Sequence, residues 1–344
     1  MSELLDRLTG LVWLDGDGPW TSVVLHSRAT LARNIPDLRF PGPADETERM
    51  EVITRLSQAL QPLPALSGAT ALTAGMLCAD ERLMLVESGL AASFSDEAPL
   101  ILSPDGGSLA RLHARDHLEL VVHRRGLDPL TTLREVMVLE RALARSVDFA
   151  FDDQFGYLTS DPSVCGPGIT LEALVHLPGL MMSSQLSTVL DGLALNGVNC
   201  GSFPGFDQDI HGGLLRLKST AALGRSEREI GRDFTRAVAE LVQLEIRSRE
   251  ERLTASRLEL VDRVHRSLGI LHHARLLGEG EALGHLSFLR LGFQLGLFRD
   301  EVPETIDPLI HGILSGHLAV WARVHGEEGE PEALRARFLR RSWP

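Results

Sequence analysis

The sequence predicts a mixed α+β domain followed by an all-helical region. Three observations predict it. Short β-prone runs bounded by turn residues recur through the first two thirds of the chain. Amphipathic helical patterns lie between them. From Ser226 the chain then reads as helix almost without a break to about Leu277. We place the boundary between residues 1–225 and 226–344, which the length of 344 residues readily accommodates. The composition, 44% hydrophobic and 24% charged, supports a buried core rather than a disordered chain. Tyr157 is the only tyrosine and aromatics are scarce, so that core is aliphatic.

In chain order, Val23-Val24-Leu25 is a β-rich run that delivers Arg28 and Arg33 into a turn. Residues 44–62 read as an amphipathic helix with Met50, Ile53, Leu56 and Leu60 on one face. Three strand-like runs follow, PLILS, SLARLHA and HLELVVH, joined by the turn Pro104-Asp105-Gly106-Gly107 and by Arg115-Asp116. Thr131 to Val147 is a second helix. Residues 150–215 read as Gly- and Pro-rich loops around a helix near 179–193, and LLRLKS at 214–219 as a strand. Ser226-Glu227-Arg228-Glu229 has capping-box spacing and opens the long helical run. Shorter helices are expected near 279–297 and 304–324, and a basic one at 332–341.

Charge and cysteine content narrow the function classes. A net charge of −13 argues against nucleic acid and against anionic membrane surfaces, and leaves basic proteins or peptides as partners. No apolar run approaches the roughly 20 residues of a membrane span. The first residues, MSELLDRLTGLVWLDGDG, are amphipathic and acidic and lack the features of a signal peptide. Cys78, Cys165 and Cys200 are odd in number and widely spaced, which fits free thiols in a reduced, cytoplasmic setting. His265, His272, His273 and His285, with Asp262 near the first, offer no complete ligand spacing, so no metal is expected.

Seven segments occur in a telling order: VVLHSRATLARN (23–34), ERLMLVE (81–87), ARDHLEL (114–120), FDDQFGYLTSDPSVCGPGI (151–169), VHLPGL (175–180), LGRSE (223–227) and RLELVDRVHRSLGILHHARLL (257–277). Their order and spacing resemble the ATP:guanido phosphotransferases. The helical C-terminal region points within that family to the bacterial protein arginine kinases, because creatine kinase lacks it. The likeness runs from about residue 20 to 341. It implies an antiparallel sheet flanked by helices, with the active site over the sheet. It also implies transfer of the ATP γ-phosphoryl group to a guanidinium nitrogen. Arginines and Mg²⁺ would hold the phosphates, and a carboxylate pair would orient the guanidinium and take its proton.

Matched residue by residue, this chain is a degenerate member. The family's two opening phosphate arginines fall on Arg28 and Thr30. Its paired glutamates fall on Ala114 and Arg115, and the arginine after Asp-His falls on Glu119. Its glycine-rich loop Cys-Pro-x-Asn-x-Gly-Thr-Gly-x-Arg falls on 161–170, where Asp161, Val164 and Thr170 replace cysteine, asparagine and arginine. Its Arg-Gly-x-x-Gly-Glu falls on 201–206, beginning at Gly201. Of five arginine positions, only Arg28 is kept. Between Arg145 and Arg216 there is no lysine or arginine, while Asp148, Asp152, Asp153, Asp161, Glu172, Asp191, Asp207 and Asp209 lie in that stretch. Each lost charge-assisted contact costs a triphosphate about 1–3 kcal/mol. Without a carboxylate base a guanidinium, with its pKa above about 12, stays protonated.

Single residues read two ways. Arg28 is either a phosphate ligand or half of a structural ion pair, and the loss of its cooperating arginines favours the pair. Arg33 with Asn34 reads as structural. Asp116-His117 is either an acid–base remnant or a turn held by side-chain-to-backbone hydrogen bonds, which we favour. Pro167 removes a donor that a phosphate loop at 166–168 would use. The protein arginine kinases carry Arg-Asp-x-x-Arg-Ala, which resembles a phosphoarginine site, near the C-terminus. Here Pro331-Glu332-Ala333-Leu334-Arg335-Ala336 keeps Glu332 for the acid, then Arg335 and Ala336, so a dimer or docking helix is favoured over a reader.

The sequence therefore predicts a catalytically inactive pseudokinase of this family, with no cofactor, in a regulatory, scaffold or dimer-partner role. Its partners would be proteins: a second copy in a homodimer, an active paralogue, or stress-response or proteolysis factors. One alternative is an active phosphotransferase with a rearranged site, using Mg·ATP and cations drawn from Arg111, Arg115, Arg124 and Arg125. A second is a phosphoarginine-binding module centred on Arg335.

Overall fold

A computed structural model describes residues 13–14, 16–91, 99–203, 211–220, 222–298 and 306–343. The acidic segment preceding Trp13, and Asp207 and Asp209, lie outside these residues.

The centre is one antiparallel sheet. Its strands in chain order are β1 (Val24–Arg33), β2 (Thr70–Leu72), β3 (Leu100–Leu102), β4 (Ser108–Leu112), β5 (Leu118–Arg125), β8 (Ile169–His176), β9 (Val198–Ser202) and β10 (Leu214–Ser219). A separate small hairpin is made by β6 (Phe151–Asp152) and β7 (Gly156–Tyr157). The spatial order is β2-β3-β4-β5-β1-β8-β10-β9, so β1 lies in the interior of the sheet, between β5 and β8.

Helices α1 (Glu46–Leu60), α2 (Ala79–Glu87), α3 (Pro129–Leu143), α4 (Pro178–Met182) and α5 (Leu186–Leu195) belong to the first part of the chain. Then come α6 (Glu227–Ala255), α7 (Arg257–His273), α8 (Glu279–Gln294), α9 (Asp307–Gly312), α10 (Ser315–His325) and α11 (Pro331–Arg341). Asp45 caps α1 with a full capping box to Glu48, and Ser226 does the same for α6 with Glu229.

One face of the sheet is aliphatic. Ala29, Leu31, Leu120, Val122, Leu171 and Ala173 meet Leu133, Val136 and Leu143 of α3 and Phe234, Val238 and Leu241 of α6 in a continuous core. The opposite face carries the polar alternates His26, Arg28, Thr30, Glu119, His123 and Glu172. At the margins of that face Leu25, Leu174 and Leu214 join a cluster with Leu271 of α7, Leu283, Leu286 and Leu289 of α8, Ile310 of α9 and Leu339 of α11. Polar links tie the later helices to the sheet. Arg290 of α8 is buried and donates to Asp307 (2.6 Å) and to the carbonyls of Thr21 (2.6 Å) and Ser22 (2.9 Å). Arg125 of β5 donates to the same Asp307.

Several expectations need correction. Arg28 sits in the middle of a ten-residue strand, not in a turn, because strand pairing on both sides extends the Val23–Leu25 run through Arg33. The buried face of α1 is Val52, Leu56, Ala59 and Leu60, with Met50 exposed. The helix near 179–193 is two helices, broken at Ser184 with φ 60°. The long helical run divides at Ser256, and the segment near 304–324 contains two helices, α9 and α10. β8 and β9 lie in the stretch read as loops. β8 is buried along nearly its whole length, so ITLEALVH lacks the alternation that marks a half-exposed strand.

Candidate functional site

The polar face is best followed in rows across the strands, since directly paired residues share a face. One row runs His123 (β5), Arg28 (β1), Glu172 (β8), Lys218 (β10) and Asn199 (β9). The Arg28 guanidinium forms an ion pair with Glu172 and donates 2.8 Å to the Gly89 carbonyl at the end of α2. Both side chains are largely buried, at 13% and 8% exposure. The one arginine kept at a family phosphate position is thus neutralised by its strand neighbour.

The next row toward the glycine-rich loop pairs Val121, Thr30 and Thr170. Two positions where the family resemblance implies arginines therefore face each other as threonines, and the buried Thr30 hydroxyl has no hydrogen-bond partner among the described residues. Beyond it Glu119 pairs with Ala32 on one side and Arg111 on the other. Arg111 Nε lies 2.8 Å from the Glu119 carboxylate, at an angle outside hydrogen-bond geometry. The reversed charge at position 119 is matched by a buried cation on β4. These side chains do not fit the arginine cradle that Mg·ATP has in the family pattern.

The positions of the paired glutamates hold no base. Ala114 is half-buried, and Arg115 is exposed, 3.2 Å from Asp161. Asp161 is held below the usual carboxylate range by hydrogen bonds from Ser163, with Arg115 and Lys218 adding to the effect. Asp116 and His117 form a clasp. Asp116 accepts from the Asn34 amide (2.6 Å) and the Ser160 N–H (2.7 Å). His117 Nδ1 accepts from the Ile35 N–H (3.0 Å), and Asn34 accepts from the His117 N–H (2.8 Å). Arg33 lies over the Tyr157 ring, 3.4 Å from its centroid, and donates to Glu140 (3.1 Å) and the Pro167 carbonyl (2.9 Å). Gly168, at φ 66°, lies so close that a Cβ there would meet Arg33 Nη1 at 2.6 Å. The loop thus presents a carbonyl to a structural arginine.

All four cations proposed for a rearranged site are paired. Arg111 meets Glu119, Arg115 meets Asp161, Arg124 meets Glu135 and Arg125 meets Asp307. The cations on this face without an ion pair among the described residues are Arg216 and Lys218 of β10. Sequence reasoning passed over both. The alternation in LLRLKS carried the signal, because it puts positions 216 and 218 on one face. The acidic stretch also reads differently in three dimensions. Asp152 closes the β6–β7 turn, Asp148 lies beside α1 and Asp191 on α5, so Glu172 and Asp161 are its described members at this face.

The other candidates lie elsewhere. Arg335 is buried and donates to the Ile313 carbonyl (2.8 Å), the Leu277 carbonyl (3.0 Å) and Glu279 (3.0 Å), so its guanidinium is taken up within the helical region. Glu332 is exposed on the outer side of α11. His265 faces the Val261 carbonyl, His285 faces Ser267, and His272 stacks on Trp343. Among the described residues no group of three or more His, Cys, Asp or Glu is placed to hold a metal ion. Cys78, Cys165 and Cys200 are free thiols, and burial raises Cys200 to about 11. No helix among the described residues is long and apolar enough to cross a membrane.

Comparison with known proteins agrees with this architecture. Residues 50–248 match the ATP:guanido phosphotransferase C-terminal catalytic domain, and residues 257–343 match the protein-arginine kinase McsB C-terminal domain. Protein-arginine kinase from Halalkalibacterium halodurans is 32% identical over 341 residues, covering 95% of this chain and 94% of that protein. Protein-arginine kinase from Moorella thermoacetica is 33% identical, covering 95% and 96%. Among solved structures, a lombricine kinase superposes with a TM-score of 0.57 at 17% identity, covering 69% of each chain. The duplicated taurocyamine kinase from Schistosoma mansoni, with bound transition state analog components, gives 0.61 at 15%, covering 86% of this chain and 50% of that one. The sheet and the later helices are thus shared along almost the whole length, and the chain belongs to the ATP:guanido phosphotransferase family, with the domain pair of the protein-arginine kinases.

Proposed function

We propose that this chain is a family member that does not transfer phosphate and acts through its folded surfaces, as a scaffold or regulatory partner of other proteins in the cytoplasm. The observation that carries this reading is the Arg28–Glu172 pair. A guanidinium held by a carboxylate and a carbonyl in a largely buried position offers a γ-phosphate little, and removing it from that pair is costly. The base position agrees with this, since Arg115 would repel a guanidinium substrate rather than deprotonate it. The partner we favour is a second copy of the chain or a related active kinase.

A second reading is favoured by the relatives themselves. Those compared are named protein-arginine kinases and align over almost the entire chain. Under this reading the chain is an active ATP:protein-arginine phosphotransferase that uses a different set of cations. The discriminating experiment is incubation of the purified protein with Mg·ATP labelled at the γ-phosphate and an arginine-rich acceptor protein. Acid-labile phosphoarginine is then counted against the Halalkalibacterium halodurans protein-arginine kinase as a positive control. The scaffold reading expects none above background. Phosphoarginine that accumulates with time and enzyme concentration would establish the second reading.

A further inference from the structure

We propose that Arg216 and Lys218 form a binding site for a diphosphate-bearing ligand on β10, built from residues outside the family's phosphate positions. The argument starts from Gly201. The family pattern has an arginine there, and β9 pairs Gly201 directly with Arg216 of β10. A Cβ built on Gly201 would lie 3.7 Å from Arg216 Nη2 and 3.9 Å from its Nε. The Arg216 guanidinium therefore lies beside the place where a side chain on residue 201 would begin. The charge lost from one strand has a counterpart on the next.

Lys218 extends the site. It is two residues along the same strand, so both side chains leave the same face, about 7 Å apart at their Cα atoms. Among the described residues neither forms an ion pair, in contrast to Arg28, Arg111, Arg115, Arg124 and Arg125. The nearby carboxylates among the described residues are already engaged. Glu172, next to Lys218 in its row, is held by Arg28, and Asp161 has Arg115 and the Ser163 hydrogen bonds. Among the described residues the local balance is positive, in a chain whose net charge is −13. A neutral polar group flanks the cations: Asn199 pairs with Lys218 on β9 and is exposed.

This set suits a diphosphate better than a single carboxylate. The planar fork of Arg216 takes two oxygens of one phosphate, and the ammonium of Lys218 takes the other phosphate as a point charge. Many anionic oxygens can use both the charged and the neutral donors, whereas one carboxylate reaches only one head. The site needs no catalytic base, so the proposal concerns binding and stands whether or not the chain transfers phosphate.

The test is calorimetric titration of the full chain with inorganic pyrophosphate, ADP and inorganic phosphate, without magnesium, at about 20 and 200 mM salt. The proposal expects pyrophosphate and ADP to bind with submillimolar Kd, and inorganic phosphate about tenfold more weakly. It expects binding to weaken at the higher salt and to fall about tenfold or more in Arg216→Gln and in Lys218→Gln. Arg216 is exposed, so that variant should fold, and an unchanged thermal transition checks it. ADP binding without pyrophosphate binding would show adenine-led recognition and overturn the proposal. So would pyrophosphate affinity unchanged in both variants, or no heat from any of the three probes up to about 10 mM. The readout is equilibrium binding, so its failure is distinct from any result of the arginine-phosphorylation assay.

Discussion

At Arg28 and Glu172 two substitution-sensitive charges sit on adjacent strands with little access to water. Removing one partner leaves the other buried and unpaired, which costs about 3–5 kcal/mol, whereas replacing both with apolar residues of similar size is close to neutral. Glu172→Ala is therefore expected to lower the urea midpoint strongly, and Arg28→Met with Glu172→Leu to restore most of the loss. A double mutant no more stable than Glu172→Ala would show that the two charges are not coupled. At this scale the sequence was informative about losses and silent about compensation. Thr30, Glu119, Thr170 and Gly201 stand out as replaced arginines only through the family resemblance. That Glu119 meets Arg111, that Glu172 meets Arg28, and that Arg216 lies beside Gly201 depends on strand register between segments far apart in the chain. A single sequence carries no direct signal for such register.

The helices show where the later part of the chain is fastened to the sheet domain. Glu87 at the end of α2 accepts from the Gly316 N–H (2.9 Å) and the His317 N–H (3.2 Å) at the start of α10, and its carboxylate lies 2.8 Å from His317 Nδ1. A carboxylate at a helix N-terminus satisfies donors that otherwise lack partners. The contact is also close. A Cβ on Gly316 would lie 2.5 Å from the Met84 backbone nitrogen and 2.9 Å from the Leu83 carbonyl carbon. Gly316→Ala must push α2 and α10 apart, a cost on the order of 1–3 kcal/mol. Gly284→Ala on α8 has open space within 4 Å and should gain up to about 1 kcal/mol from helix propensity. Limited proteolysis and urea melts of the two variants check this pair, and equal stabilities would contradict the close packing. α1 was legible from its apolar periodicity and α11 from its basic helical stretch. α2 was not read as a helix, and the clasp it makes joins residues 87 and 316, which no local pattern connects.

Across the whole molecule, the polar layer between sheet and helices gives folding a defined pH dependence. His123, His176 and His311 are buried and His26 is half-buried, and desolvation, the largest cause in each, pushes them below the ordinary histidine value of about 6.5, with His311 down to about 3. Neighbouring cations add to the shift: Arg28 and Arg125 act on His26, and Arg28 and Arg111 on His123. Arg290 and Arg249 act on His176, while Asp307 partly opposes the shift at His26 and His311. Because the folded-state pKa lies below the unfolded one, the unfolded chain takes up protons first as pH falls through about 6.5. Stability is thus fully present above that value and is lost below it, at up to about 1.4 kcal/mol per pH unit for each histidine that stays neutral in the fold. The ion-paired Asp307 is shifted down from a value already near 4, so its contribution is lost only at lower pH. Urea midpoints are therefore expected to be level between pH 8 and 7 and to fall steeply between pH 6.5 and 5. Proton uptake on unfolding at pH 5.5 should exceed one per molecule. A flat profile across that window would mean that these histidines are solvated or paired in solution. The cluster in which Trp13 stacks on His123 and meets His26 edge-on would then be more open than its ring distances of 4.8 and 4.7 Å indicate.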